Sequence, residues 1–109
     1  MGMEKLTQTG LLMIDKKRRK VVSIQQIVML KGCSNYTYFY LKNGKYRMSS
    51  HTLKYYETEL VTKGFLRVHR GSIINPDCIV RYDVKNAHLL LLNGYEVEVS
   101  RRKKKLLVS

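Results

Sequence analysis

The sequence predicts a mainly β fold, with elongated antiparallel sheets and one or two short α-helices. Three observations carry this prediction. Aromatic and β-branched residues gather in short runs, two Asn-Gly pairs join neighbouring runs, and one segment shows clear helical spacing. With 109 residues, 44% of them apolar, the chain has the size and core-forming material of one domain. No repeat or low-complexity linker interrupts it, so residues 1–109 read as a single unit.

Residues 10–14 and 20–23 read as the first two strands, with Asp15 and the lysines after it turning the chain between them. Residues 23–27 fit either a short helical turn or a strand, and the pattern does not decide. Residues 28–31 form a third strand. The run Tyr-Thr-Tyr-Phe-Tyr-Leu at 36–41 suits a pleated surface, passes through Asn43-Gly44 and returns as residues 45–49. Asn-Gly supplies the two positive-φ positions of a type I′ turn. The same device, Asn93-Gly94, joins residues 88–92 to 95–99. There Tyr95, Val97 and Val99 face one way, and Glu96 and Glu98 the other. Residues 65–68 and 79–84 complete the strands.

The helix is expected to start after Ser50 as N-cap and to end at Gly64. Leu53, Tyr56, Leu60 and Val61 share its apolar stripe, while Lys54, Glu57 and Glu59 fall on or near its wet side. An outer face bearing acids suits a support packed on a sheet, not a helix lying in a DNA groove. A second, short helix is expected from Ser100 through residues 101–107.

Charge narrows the function. Lys and Arg number 21 against 8 Asp and Glu, a formal net charge of +13. Such self-repulsion works against a compact state and points to a polyanionic partner, nucleic acid or an anionic membrane surface. Ten of the 21 basic residues stand in two unbroken runs, 16–20 and 101–105, which favours contact surfaces over diffuse charge. No stretch approaches the roughly 20 apolar residues of a spanning helix. The N-terminus lacks the apolar centre of a signal peptide, so a cytoplasmic protein is the default expectation. Cys33 and Cys78, without a CxxC or CxxH neighbour, make neither a zinc site nor a disulfide framework.

Catalysis finds little support. Glu96 and Glu98 project from one strand face roughly 7 Å apart, a separation that suits a metal ion for phosphodiester cleavage. No third ligand accompanies them, and an acidic stripe paired with neighbouring lysines is the better reading. His51, His69 and His88 are scattered, no glycine-rich phosphate loop is present, and Ser72 lacks a nucleophile elbow. Neither an enzyme nor a cofactor is expected.

The richest constellation is residues 65–76, Phe-Leu-Arg-Val-His-Arg-Gly-Ser-Ile-Ile-Asn-Pro. A strand carrying Arg67, His69 and Arg70 breaks at Gly71-Ser72, returns to apolar Ile73-Ile74 and stops at Asn75-Pro76. Cationic side chains are thus presented beside a turn anchored by buried residues. His69 alone is more often structural, bonding to the backbone of such a turn.

These residues resemble the LytTR domain, the DNA-binding module of many bacterial response regulators in two-component systems. Four stretches carry the resemblance: Lys31 to Thr37, "SSHTLKYYETEL" from Ser49, the Phe65–Asn75 motif, and "NGYEVEVSR" from Asn93. Together they cover about residues 16–108. The resemblance implies loops, instead of a recognition helix, entering two successive major grooves of bent duplex DNA. Carried over by position, Asn35 and Arg102 meet base edges and Arg70 the intervening minor groove. Lys31, Ser34, His69, Arg101 and Lys105 contact the backbone or shape the loops. Gly71 departs from the Ser that many members place there, so the turn is expected to differ in shape. Residues 1–109 hold no receiver domain, so the chain is expected to be either a free-standing member or a fragment, and the source of an activating signal is left open.

The leading expectation is therefore sequence-specific duplex DNA binding for bacterial transcription regulation. Its partner is double-stranded DNA with repeated sites, bound by two copies that are monomers in solution. The rival is an RNA-binding module using the basic surface and Tyr36, Tyr38 and Tyr40 as a stacking platform. The resemblance instead assigns that tyrosine face to the core or to a neighbouring sheet. A protein-interaction or anionic-membrane module built on residues 16–20 is a third class.

Overall fold

In a computed structural model describing residues 10–107, the chain forms three antiparallel sheets. Strands β1 (Leu11–Asp15) and β2 (Lys20–Ser23) make a hairpin, and Ile24–Gln26 forms one 3-10 turn. Strands β3 (Ile27–Cys33), β4 (Tyr36–Leu41) and β5 (Tyr46–Ser49) follow, then helix α1 (Leu53–Thr62). Strands β6 (Leu66–His69) and β7 (Ser72–Ile74) return to the central sheet, whose order is β5-β4-β3-β7-β6. Strands β8 (Ile79–Asp83), β9 (His88–Leu91) and β10 (Glu96–Glu98) form the third sheet. A 3-10 helix, Arg101–Leu106, ends the described chain.

The central sheet is covered on both faces. Leu12, Ile14 and Val22 of the hairpin join Leu53, Tyr56 and Leu60 of α1 against Leu30, Phe39 and Ile73. On the other face Leu89, Leu91, Val97 and Val99 pack on Val28, Met29, Val68 and Ile74. A bulge between Ile27 and Met29 breaks strict alternation, so Val28 and Met29 both join one core cluster while Ile27 and Leu30 join the other. The resulting slab measures 44 × 41 × 25 Å.

Several local expectations are corrected. The N-cap of α1 is Thr52, not Ser50. Ser49 is buried at the end of β5, where its hydroxyl meets the Tyr56 hydroxyl and accepts the His51 N–H, while Thr37 donates to the His51 carbonyl. These bonds keep the chain extended two residues longer. Val61 is exposed, leaving the stripe to Leu53, Tyr56 and Leu60. The helix does stop at Gly64, whose φ of +96° supports a Schellman ending: Phe65 N–H bonds to Leu60 O and Gly64 N–H to Val61 O, with Phe65 and Leu60 both buried.

The two Asn-Gly pairs differ. At Asn93-Gly94 both residues take positive φ, but at Asn43-Gly44 only Gly44 does. Asn43 instead accepts the Lys45 N–H on its side-chain oxygen, and Leu41 and Lys45 close a three-residue loop. Strand β7 was not among the expected strands; three residues carry too little pattern to show, yet it sits between β3 and β6. The tyrosine face packs in part against the neighbouring third sheet, as expected, through Tyr40. Thr37, Phe39 and Leu41 point inward, Tyr36 is exposed, and Tyr38 and Tyr40 are half-buried, with Tyr40 packing on Tyr95 at 5.0 Å.

Candidate nucleic-acid interface

Antiparallel register decides which loops are neighbours. Strands β3 and β6 both pair with β7, so they run in the same direction and end at the same edge of the sheet. At that edge Cys33 pairs with Tyr36, leaving Ser34-Asn35 as a two-residue turn with Ser34 at φ +56°. Ser34 and Asn35 are exposed. Lys31, also exposed, pairs with Ser72, and the Gly32 N–H donates to the Gly71 carbonyl at 3.0 Å. The Asn35 turn and the Arg70 turn are thereby stitched side by side.

The Arg70 turn is built by its neighbours' side chains. His69 Nδ1 accepts the Gly71 N–H at 3.1 Å. Arg67 Nε donates to the His69 carbonyl at 3.0 Å, its Nη2 donates to the Arg70 carbonyl, and its Nη1 donates to Glu57. These bonds hold the exposed Arg70 side chain outward. His69 thus shapes the loop, as the sequence suggested, and its Nε2 lies 3.8 Å from Glu98. Gly71 is not left-handed, and a Cβ there would meet His69 Nδ1 at an ordinary 3.5 Å. A serine would fit, so glycine at this position does not impose a different turn.

The third basic segment arrives from β10. The Ser100 N–H donates to the Val68 carbonyl at 2.9 Å, which sets the Arg101–Leu106 helix beside β6 and its turn. His69, Arg70, Arg101, Arg102 and Lys103 line one concavity with Arg67 and Glu57. With about three residues per turn, Arg102 and Lys105 share one side of this helix, and both are exposed. Among the described residues the ion pairs include Arg67–Glu57 but none to Arg70, Arg101, Arg102 or Lys105. The edge therefore keeps a net positive field.

The structure thus gathers Arg70, His69, Arg101 and Arg102 in one cleft. Asn35, Ser34 and Lys31 stand on the adjoining hairpin at the same edge, and Lys105 lies outside the cleft. Sequence reasoning missed Arg67 and Glu57 as the residues that set the turn. Their ten-residue separation crosses a helix end and carries no local signal. Glu96 and Glu98 are exposed as expected, but their neighbours are His88 and His69 at 3.8 Å and not lysines. Among the described residues no three His, Cys, Asp or Glu side chains are grouped to hold a metal, and no helix is long and apolar enough to cross a membrane.

Fold and edge together define a β-rich domain that presents cationic and amide side chains from turns. The LytTr DNA-binding domain family matches residues 17–109, and the chain belongs to that family. A LytTr DNA-binding domain from Bacillus cereus has the same fold, with a TM-score of 0.73 at 21% identity over 91% of this chain and 94% of that one. No curated protein matches the chain.

Proposed function

We propose that this chain is a sequence-specific duplex DNA-binding module of bacterial transcription regulation, acting in the cytoplasm without catalysis or cofactor. The observation that carries the reading is the meeting of the Asn35 turn, the Arg70 turn and the Arg101–Leu106 helix on one edge. Asn35 reads adenine through N6 and N7, and Arg102 reads guanine through O6 and N7 in the next major groove. Arg70 enters the minor groove between them. Lys31, Ser34, Arg101 and Lys105 fix register on phosphates, while His69 shapes the middle turn. The duplex bends across this edge, which adds readout at bases that no side chain touches.

Residues 1–109 act as one domain, monomeric alone and paired on repeated sites. Titration of a repeat-bearing duplex tests this. If about 6–10 phosphates are engaged, affinity falls some 10³–10⁵-fold between 50 and 200 mM salt. Equal affinity for every duplex sequence at about 150 mM salt would overturn the proposal.

A further inference from the structure

A second groove lies between the β1–β2 hairpin and the sheet's edge strand β5, away from the cleft of Arg102. Its walls combine aromatic and basic side chains with the exposed Met13 and Met48. Tyr36, Tyr46 and Tyr55 line it, residues that are 45%, 61% and 62% exposed. Lys16, Lys17, Arg18, Lys20 and Arg47 line it with positive charge, against one acid, Asp15, which sits 3.9 Å from Arg18. The rings are braced from behind. His51 stacks on one face of Tyr55 at 4.0 Å and 9°, and Tyr38 meets Tyr46 edge-on at 5.8 Å.

A cationic channel with open aromatic faces is the combination that holds an unpaired nucleic-acid strand: lysines follow the phosphates and bases stack on the rings. Duplex DNA keeps its base faces hidden inside the stack and cannot use the tyrosines. A second copy of a chain carrying +13 would be repelled from so basic a groove. Phenol hydroxyls, Ser50 and His51 on the same walls supply hydrogen-bonding groups suited to a ribose 2′-hydroxyl. We infer that this groove binds single-stranded RNA, at a site distinct from the cleft that holds Arg102.

The test is fluorescence anisotropy with an unstructured oligouridylate of about twelve nucleotides and its deoxyuridylate counterpart, at about 150 mM salt. The double variant Tyr46→Ala, Tyr55→Ala is expected to lose about tenfold or more in RNA affinity while keeping duplex affinity, which also reports that it is folded. Lys17→Glu with Lys20→Glu is expected to weaken RNA binding too, whereas Arg102→Ala leaves it unchanged. The inference is overturned if the tyrosine variant binds RNA like the parent, if Arg102→Ala abolishes RNA binding, if the deoxy strand binds as tightly, or if the parent does not bind. Failure of the duplex reading would show instead as absent sequence preference, with the RNA results unaffected.

Discussion

Arg67 donates to the Glu57 carboxylate at 2.5 Å, fastening the β6–β7 turn to helix α1. The same guanidinium bonds the carbonyls of His69 and Arg70, so each of its three nitrogens has a partner inside the protein. Arg67→Ala should therefore cost about 1–2 kcal/mol, at the lower end for a charged hydrogen bond because Glu57 is partly solvated. Urea denaturation reads the loss. Duplex affinity should fall as well, although Arg67 is not assigned to DNA, and Arg67→Lys should recover little of it because an ammonium cannot form the fork. Unchanged stability in Arg67→Ala would show that the turn holds itself.

His69 acts through its Nδ1, which accepts the Gly71 N–H. His69→Ala leaves that N–H without its partner and should cost about 1 kcal/mol with weakened duplex binding. His69→Asn, whose side-chain oxygen can take the place of Nδ1, should restore much of both. If Asn and Ala behave alike in thermal melts and in binding, the imidazole has another role.

Asn93 joins two sheets. Its side-chain NH2 donates to the carbonyls of Leu41 and Lys42 at 3.2 and 3.1 Å, and its φ is +67°. Asn93→Gly loses only the hydrogen bonds, at about 1 kcal/mol, whereas Asn93→Ala adds about 1–2 kcal/mol for a left-handed backbone. The order of melting temperatures should be parent, Gly, Ala. A Gly variant less stable than Ala would mean that backbone strain is not at issue here.

The two cysteines should separate by reactivity. Cys33 is exposed beside the Ser34-Asn35 turn; Cys78 is buried, and burial pushes its thiol up. Iodoacetamide should label Cys33 readily and Cys78 only on unfolding. A bound duplex should protect Cys33 if the turn it flanks enters the groove as proposed. Labelling of Cys33 at the same rate with and without saturating duplex would place DNA elsewhere.

Much of this was legible in the residues. Alternation in 95–99 gave the inward face of Val97 and Val99, and Gly64 gave the end of α1, because both are local rules of pleat and cap. The Phe65–Asn75 motif coincides with strands β6 and β7 and the turn between them. Asn75 within it is wholly buried, donating to Ile27 O and accepting the Asp77 N–H, so it fastens the end of β7 to β3. What stayed hidden depends on tertiary neighbours. Thr52 takes the N-cap position of α1, without a side-chain bond, after Ser49 is engaged with Tyr56. The tyrosines of β4 turn to the third-sheet side while Phe39 and Leu41 join the helix side. Alternation says that two faces differ; only the neighbouring layers say which is covered.

The assignment of base reading to Asn35 and Arg102 is best tested by selecting bound duplexes from a random library at about 150 mM salt, with the parent, Asn35→Ala and Arg102→Ala. The parent should enrich a motif with two informative blocks about one helical turn apart, and each variant should blur a different block while leaving the other sharp. Recovery of the parental motif by both variants would mean that other side chains read the bases.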